Sequence, residues 1–75
     1  MKLLYFGILS ELAGKQTEEI TLEGTVKDLR LFLNSTYPSF SSQNFQVAMN
    51  QKIVTDQAIL EPESEVALLP PFAGG

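Results

Sequence analysis

The side chains that most often carry catalysis are scarce in this sequence of 75 residues. It contains no cysteine and no histidine, so it offers no thiol nucleophile, no imidazole base and no Cys/His zinc site. Carboxylates that could perform acid–base chemistry cluster in two places: Glu18-Glu19, and Glu61, Glu63 and Glu65. These residues fall on predicted strand edges and turns, where nothing nearby would perturb their pKa values. We therefore interpret both clusters as solvated surface and predict neither a side-chain catalyst nor a metal site.

The remaining reactive group is the carboxylate of Gly75, at the end of a six-residue segment of unusual composition. This segment reads Pro70-Pro71-Phe72-Ala73-Gly74-Gly75. Two prolines fix φ and remove two amide donors, which predicts a stiff projection away from the fold. Phe72 is suited to anchor in a pocket of a partner. The two glycines could thread a narrow channel, and six extended residues reach up to about 20 Å, enough to enter another protein's active site.

The alternative is that these six residues are simply a frayed terminus. A Gly-Gly ending alone would not decide between the two interpretations. Pro70-Pro71 directly follows an apolar strand pattern, and disordered tails rarely begin with a rigid spacer against the core. This arrangement favours a functional tail.

Length and charge limit the class of protein further. A chain of 75 residues has room for one domain. The net charge of -4, with only five scattered basic residues, argues against nucleic acid and favours a basic protein partner. No apolar stretch approaches the roughly 20 residues that a membrane span requires. Nothing calls for an oxidising compartment, so we predict a cytoplasmic location.

Hydrophobic periodicity predicts five strands, over residues 2–6, 17–22, 45–49, 52–55 and 65–69. The first and last are apolar on both faces, which is typical of interior strands. The second alternates between apolar and polar residues, as a half-exposed strand does. We expect the first two strands to pair antiparallel, separated by a helical turn over residues 10–14 that ends at Gly14.

One amphipathic helix is predicted over residues 25–36. Thr25 can cap it, and Asp28 at the third position completes a capping box and places a carboxylate at the positive end of the helix dipole. Tyr37-Pro38 ends the helix, because the residue before proline disfavours helical geometry. The apolar positions recur at helical spacing and are Val26, Leu29, Phe32 and Leu33.

The connecting segments carry turn signals. Residues 39–44 are polar and predict a loop. Asn50-Gln51 suits a tight hairpin turn, since asparagine tolerates positive φ. Ile59 and Leu60 are expected to form a small buried turn.

This order of elements predicts an α+β roll of the β-grasp kind, with one helix covering one face of a mixed sheet. The domain occupies residues 1–69 and the tail residues 70–75. Because one helix covers one face only, either Leu4 and Phe6 or Leu3 and Tyr5 should lie partly open on the other face, unless loops cover them. Phe6 is therefore a second candidate partner contact, beside the tail.

The sequence resembles the small subunits of molybdopterin synthase, within the ubiquitin-like sulfur carriers. The resemblance spans nearly the whole chain, and its most specific part is the tail. One departure is Pro62-Glu63-Ser64, where the family usually has an Asp-Gly-Asp-like turn. The matching residues are Leu3 to Gly7 with Glu11, Leu12 and Gly14; Thr25, Val26 and Leu29; Val47 to Asn50 with Val54; and Glu65 to Ala67 with Pro70 to Gly75.

The resemblance implies that Gly75 is the group on which the chemistry takes place. In this family an ATP- and Mg-dependent adenylyltransferase of the ubiquitin-activating type activates the terminal carboxylate, and a sulfur donor protein supplies the sulfur of a thiocarboxylate. Pro70, Pro71, Phe72, Ala73 and Gly74 would then enter the large catalytic subunit of the synthase. The expected assembly has two small and two large subunits, and this chain itself binds no cofactor.

Three other interpretations stay open at this point. A sulfur carrier of the thiamine pathway and a protein modifier conjugated to lysines share the fold and the Gly-Gly ending, and activation at Gly75 would begin identically in both. A plain interaction domain would have no activated tail. The Pro-Pro-Phe spacer favours the molybdopterin branch by resemblance.

Overall fold

The computed structural model describes residues 1–71 as one mixed sheet with helices packed against it. No helix in this range is long and apolar enough to cross a membrane. The elements are β1 (Lys2–Tyr5), α1 (Ile8–Ala13), β2 (Thr17–Glu19), α2 (Val26–Thr36), a 3₁₀ helix (Pro38–Ser42), β3 (Gln46–Met49), β4 (Lys52–Val54) and β5 (Glu65–Leu69).

The sheet has the strand order β2-β1-β5-β3-β4. β1 and β5 run parallel, and the other neighbouring strands pair antiparallel. β1 and β5 were predicted to be interior because they have apolar residues on both faces. Each has a neighbouring strand on both sides, so this prediction is confirmed. The antiparallel pairing of β1 with β2 is also confirmed.

Helix α2 begins at the predicted capping box. The Asp28 amide donates to Thr25 Oγ1 at 3.4 Å, and the Thr25 amide donates to Asp28 Oδ2 at 2.8 Å, so two amides at the helix start are satisfied. The helix ends at Thr36, before Tyr37-Pro38. Val26, Leu29 and Leu33 on its apolar face are fully buried, so α2 covers one face of the sheet.

The turn predictions at Gly14 and Asn50-Gln51 are confirmed. Gly14 caps α1 at φ 75° and its amide donates to Ser10 O at 2.9 Å, a left-handed ending typical of helices. Asn50 and Gln51 have φ of 50° and 72°, and positive φ at both central residues is what a two-residue type I′ hairpin turn requires.

The segment predicted as a polar loop contains part of the core. Residues Pro38–Ser42 form the 3₁₀ helix, and Phe40 within it is fully buried. Its ring contacts Tyr5, Tyr37 and Phe45, with centroids 6.0, 5.1 and 5.9 Å away. The burial of Phe40 was not predicted from the sequence, because it is a single apolar residue among serines and a single residue has no periodicity.

Two further predictions are wrong in part. Ile59 was expected to be buried with Leu60, but Leu60 is buried and Ile59 is 68% exposed. The second strand stops at Glu19 and does not extend to residue 22. The strand stops there because its partner β1 begins at Lys2, so beyond the bond from the Ile20 amide to Met1 O no neighbouring strand remains to pair with.

Candidate functional site

The tail leaves the domain at the end of β5, beside Gly7. β5 ends at Leu69, and Pro70 is half-buried whereas Pro71 is exposed. A Cβ added to Gly7 would lie 3.0 Å from Pro70 Cγ, so the proline ring packs directly on the glycine backbone. Gly7 also has φ of 56°, a conformation that glycine adopts at little cost. The start of the tail is thus held against the segment that joins β1 to α1.

The other predicted tail residues, Phe72, Ala73, Gly74 and Gly75, lie outside the described residues. What the structure supplies is the surface next to the point where they begin.

That surface is the sheet face opposite α2, and it carries a row of apolar side chains. Strand register places Leu4 opposite Ala67, Ala67 opposite Ala48, and Ala48 opposite Ile53. Side chains of directly opposed residues share a face, so these four form a row across four strands. We call the row, together with Phe6 and Leu69 near the end of β5, the open face.

Exposure decides between the two pairs proposed for β1. Leu3 and Tyr5 are buried against α2, whereas Leu4 is half-buried and Phe6 is 46% exposed. The prediction that one pair would lie partly open is confirmed, and the open pair is Leu4 and Phe6. Phe6 immediately precedes Gly7, so it lies beside the base of the tail.

Sequence reasoning missed most of the open face. Ile53 is 56% exposed but sits on a three-residue strand, where alternation is too short to assign a face. Ala67 and Leu69 belong to the Val-Ala-Leu-Leu run of β5, which was interpreted as interior. They are interior in the order of strands but point to the face that α2 leaves open.

The prediction that both acidic clusters are unperturbed surface is wrong for Glu18. Its Oε1 accepts hydrogen bonds from the hydroxyls of Tyr5 at 2.7 Å and Tyr37 at 2.9 Å. The bond from Tyr5 is the main cause that lowers the pKa of Glu18, with Tyr37 and Lys15 adding to it against the opposing effect of burial. Burial, followed by the bond to Glu18, raises the pKa of Tyr5.

This carboxylate acts as a structural link. One oxygen already accepts hydrogen bonds from two hydroxyls, and the lowered pKa makes Glu18 a weaker base. Nor does any group of acidic residues among residues 1–71 have the arrangement to hold a metal ion. The bonds instead tie edge strand β2 to the aromatic residues around Phe40.

The Glu18 link predicts an acid-dependent loss of stability. Because the folded pKa lies below the ordinary value of 4.5, the stabilisation is present above that value and is lost as pH falls through the folded pKa. Urea unfolding between about pH 3 and 7 should show this decline in the wild type and a flatter profile in Glu18→Gln. Glu18→Ala should cost about 1–3 kcal/mol at neutral pH. Equal acid dependence in Glu18→Gln and the wild type would contradict this assignment.

Several solved structures share this architecture. A putative molybdopterin converting factor subunit 1 from Pyrococcus furiosus superposes with a TM-score of 0.87, at 25% identity over 95% of each chain. SAMP1 from Haloferax volcanii gives a TM-score of 0.82 at 24% identity, over 99% of this chain and 97% of its own. The fold is thus that of the ubiquitin-like β-grasp proteins.

Sequence comparisons narrow this class to one family. The ThiS family model matches residues 3–75, and the chain belongs to the ThiS family. Among curated relatives, the molybdopterin synthase sulfur carrier subunit of Homo sapiens is 30% identical over all of this chain and 93% of its own length. The subunit of the same name from Caenorhabditis briggsae is 32% identical, over all of this chain and 96% of its own length.

Proposed function

We propose that this chain is the sulfur carrier subunit of a molybdopterin synthase. The observation that carries the proposal is a Gly-Gly tail that starts beside an exposed apolar face, in a chain matched end to end by curated subunits of that name. With no cysteine in the sequence, the chain has no side chain for a persulfide. Its activated sulfur would therefore be carried at the Gly75 carboxylate.

Activation at Gly75 takes three steps, because a carboxylate is a poor electrophile. An adenylyltransferase of the ubiquitin-activating type, using ATP and Mg, joins the carboxylate to AMP and releases pyrophosphate. A persulfide sulfur of a donor protein then attacks the acyl carbon and expels AMP, forming an acyl disulfide. A thiol cleaves its S–S bond, so that the donor leaves as a disulfide with that thiol and Gly75 keeps a thiocarboxylate. The chain supplies the acyl group and no catalytic side chain.

The charged tail then enters the large catalytic subunit, which uses the thiocarboxylate sulfur to build the dithiolene on a pyranopterin precursor. Pro70 and Pro71 direct the tail, Phe72 anchors it, and Ala73 and Gly74 pass through the narrow part of the channel. Each dithiolene needs two sulfur atoms and therefore two carriers with a thiocarboxylate, which fits an assembly of two small and two large subunits. The use of ATP fits a cytoplasmic location.

The open face would bind the large subunit beside the tail, as the second part of the same interface. Burial of the apolar side chains on this face by a partner lowers the free energy of the complex. Phe6 is the aromatic anchor next to the start of the tail. Phe6→Ala should weaken binding to the large subunit by about tenfold or more, as measured by isothermal titration.

Leu31→Ala is the matched control for Phe6→Ala. Leu31 is 58% exposed but lies on the outward side of α2, so its loss should leave the affinity unchanged. The assignment of the open face would be contradicted if both variants weakened binding to the large subunit equally, or if Phe6→Ala left it unchanged.

The experiment that tests the proposal is an intact-mass measurement of the chain after incubation with its activating enzyme, ATP and a sulfur source. A sulfur carrier gains the difference in mass between one sulfur and one oxygen atom, and fragmentation places it on Gly75. Lysine-linked adducts in its place would establish a protein modifier. A charged chain that serves thiazole formation but not molybdopterin formation would establish the thiamine-pathway alternative.

A further inference from the structure

The exposed Ile59 lines a groove beside Met1, where β1 begins. The groove has a volume of about 370 Å³, and its apolar lining comes from the segment that follows β2 and from the segment before β5. Ile20 and Leu22 are half-buried there, and Leu60 is buried. The residues lining it are Met1, Ile20, Thr21, Leu22, Glu23, Gly24, Ile59, Leu60 and Pro62.

A second concavity, of about 420 Å³, adjoins the groove and is acidic. The two share Met1 and Pro62 as a common wall. Together their linings carry four carboxylates, of Glu19, Glu23, Glu63 and Glu65. Two cations oppose them, the side chain of Lys2 and the N-terminal ammonium of Met1, which lies 3.6 Å from Glu19 Oε2. We call the joined surface the acidic pole.

The acidic pole and Pro70, the first residue of the tail, lie at opposite ends of the sheet. Glu65 begins β5 at the pole, and Leu69 ends β5 at the tail, about 13 Å away along the strand. β1 runs parallel to β5, so Lys2 also starts at the pole and Phe6 lies near the tail. A partner seated at the pole would therefore leave Pro70 and Phe6 uncovered.

An exposed aliphatic side chain beside an excess of carboxylates is complementary to an apolar side chain flanked by cations. Burial of Ile59 would provide the contact energy, and the carboxylates would select for basic residues and speed association. The same charges disfavour phosphate-bearing nucleic acid and anionic lipid. They also disfavour a second copy of this chain, whose net charge is -4.

We propose that the acidic pole is a second docking site, for a basic segment of a protein partner that places an apolar side chain against Ile59. Such a partner can hold the chain while the tail is engaged elsewhere. Consecutive enzymes acting on the tail could then exchange without complete release of the chain.

The test is an NMR titration of the ¹⁵N-labelled full chain with three capped model peptides at millimolar concentration. Their sequences are Lys-Arg-Leu-Arg-Lys, Lys-Arg-Ser-Arg-Lys and Glu-Asp-Leu-Asp-Glu. We expect the first to shift the amides of residues 20–24, 59–61 and 63–65, with weaker binding as salt rises. The serine and acidic peptides should leave these amides unchanged.

Variants separate the apolar and the charged parts of the site. Ile59→Ser should weaken binding of the leucine peptide by about fivefold or more, and Glu63→Gln by about twofold. Leu31→Ser, the same kind of change at a similarly exposed position of α2, should have no effect.

Four results would overturn the proposal: no shifts at the pole, shifts confined to the open face, equal shifts with the acidic peptide, or pole amides that move on dilution of the chain alone. The last would identify a second copy as the occupant. Because the titration does not involve Gly75, its failure would leave the proposed sulfur-carrier function unaffected.

Discussion

Removal of Gly75 is expected to reduce molybdopterin formation by at least about a hundredfold without changing the fold. The shortened chain still ends in a glycine carboxylate, that of Gly74, but this carboxylate stops about 3.5 Å short of the reacting atoms. Displacement by even 1 Å from a reactive geometry can cost about a hundredfold in rate. The assay is product formation with purified activating enzyme, sulfur source and large subunit.

Two further variants test whether the position of the terminal carboxylate is what activity requires. Fusion of one alanine after Gly75 moves the carboxylate outward and should abolish activity equally, whereas Leu31→Ala should retain it. The buried core lies between Leu3 and Leu68, so the urea midpoint of each tail variant should match the wild type. Full activity from a chain with an amidated C-terminus would refute the proposed function.

Phe40→Ala is expected to destabilise the domain by about 3–5 kcal/mol. The ring is fully buried and contacts three other aromatic rings, so its removal leaves a cavity and ends these contacts. A domain of this size has a total stability of roughly 4–11 kcal/mol. The variant should therefore lose a large share of this stability, as measured by urea denaturation with the m value checked against the wild type.

Phe6→Ala is the matched control, because it makes the same chemical change at the half-exposed phenylalanine. It should cost about 1 kcal/mol or less. A similar loss in the two variants would mean that the 3₁₀ helix does not belong to the cooperative core.

Much of the fold could be predicted because its signals are local. The capping box of Thr25 and Asp28, the helix end at Tyr37-Pro38 and the turn at Asn50-Gln51 each depend on residues within one turn of one another. The structure has all three. Errors arose where burial depends on distant residues, as for Phe40, which is packed by Tyr5, and Ile59, which no element within residues 1–71 covers.

The candidate site divides in the same way. The tail was recognisable from composition, since proline stiffness and glycine freedom belong to the residues themselves. The open face was only half recognisable, because Ala48 and Ile53 join Leu4 through strand register alone.

By itself, the sequence determined the absence of catalytic thiols and imidazoles, the single amphipathic helix and the composition of the tail from Pro70 to Gly75. Only the tertiary structure decided which pair on β1 is open, that Glu18 links two tyrosines, and that the acidic pole lies at the end of the sheet opposite Pro70. The physical reason is that composition and capping depend on neighbours along the chain. Faces, hydrogen bonds between strands and grooves depend on residues that meet only when the sheet forms.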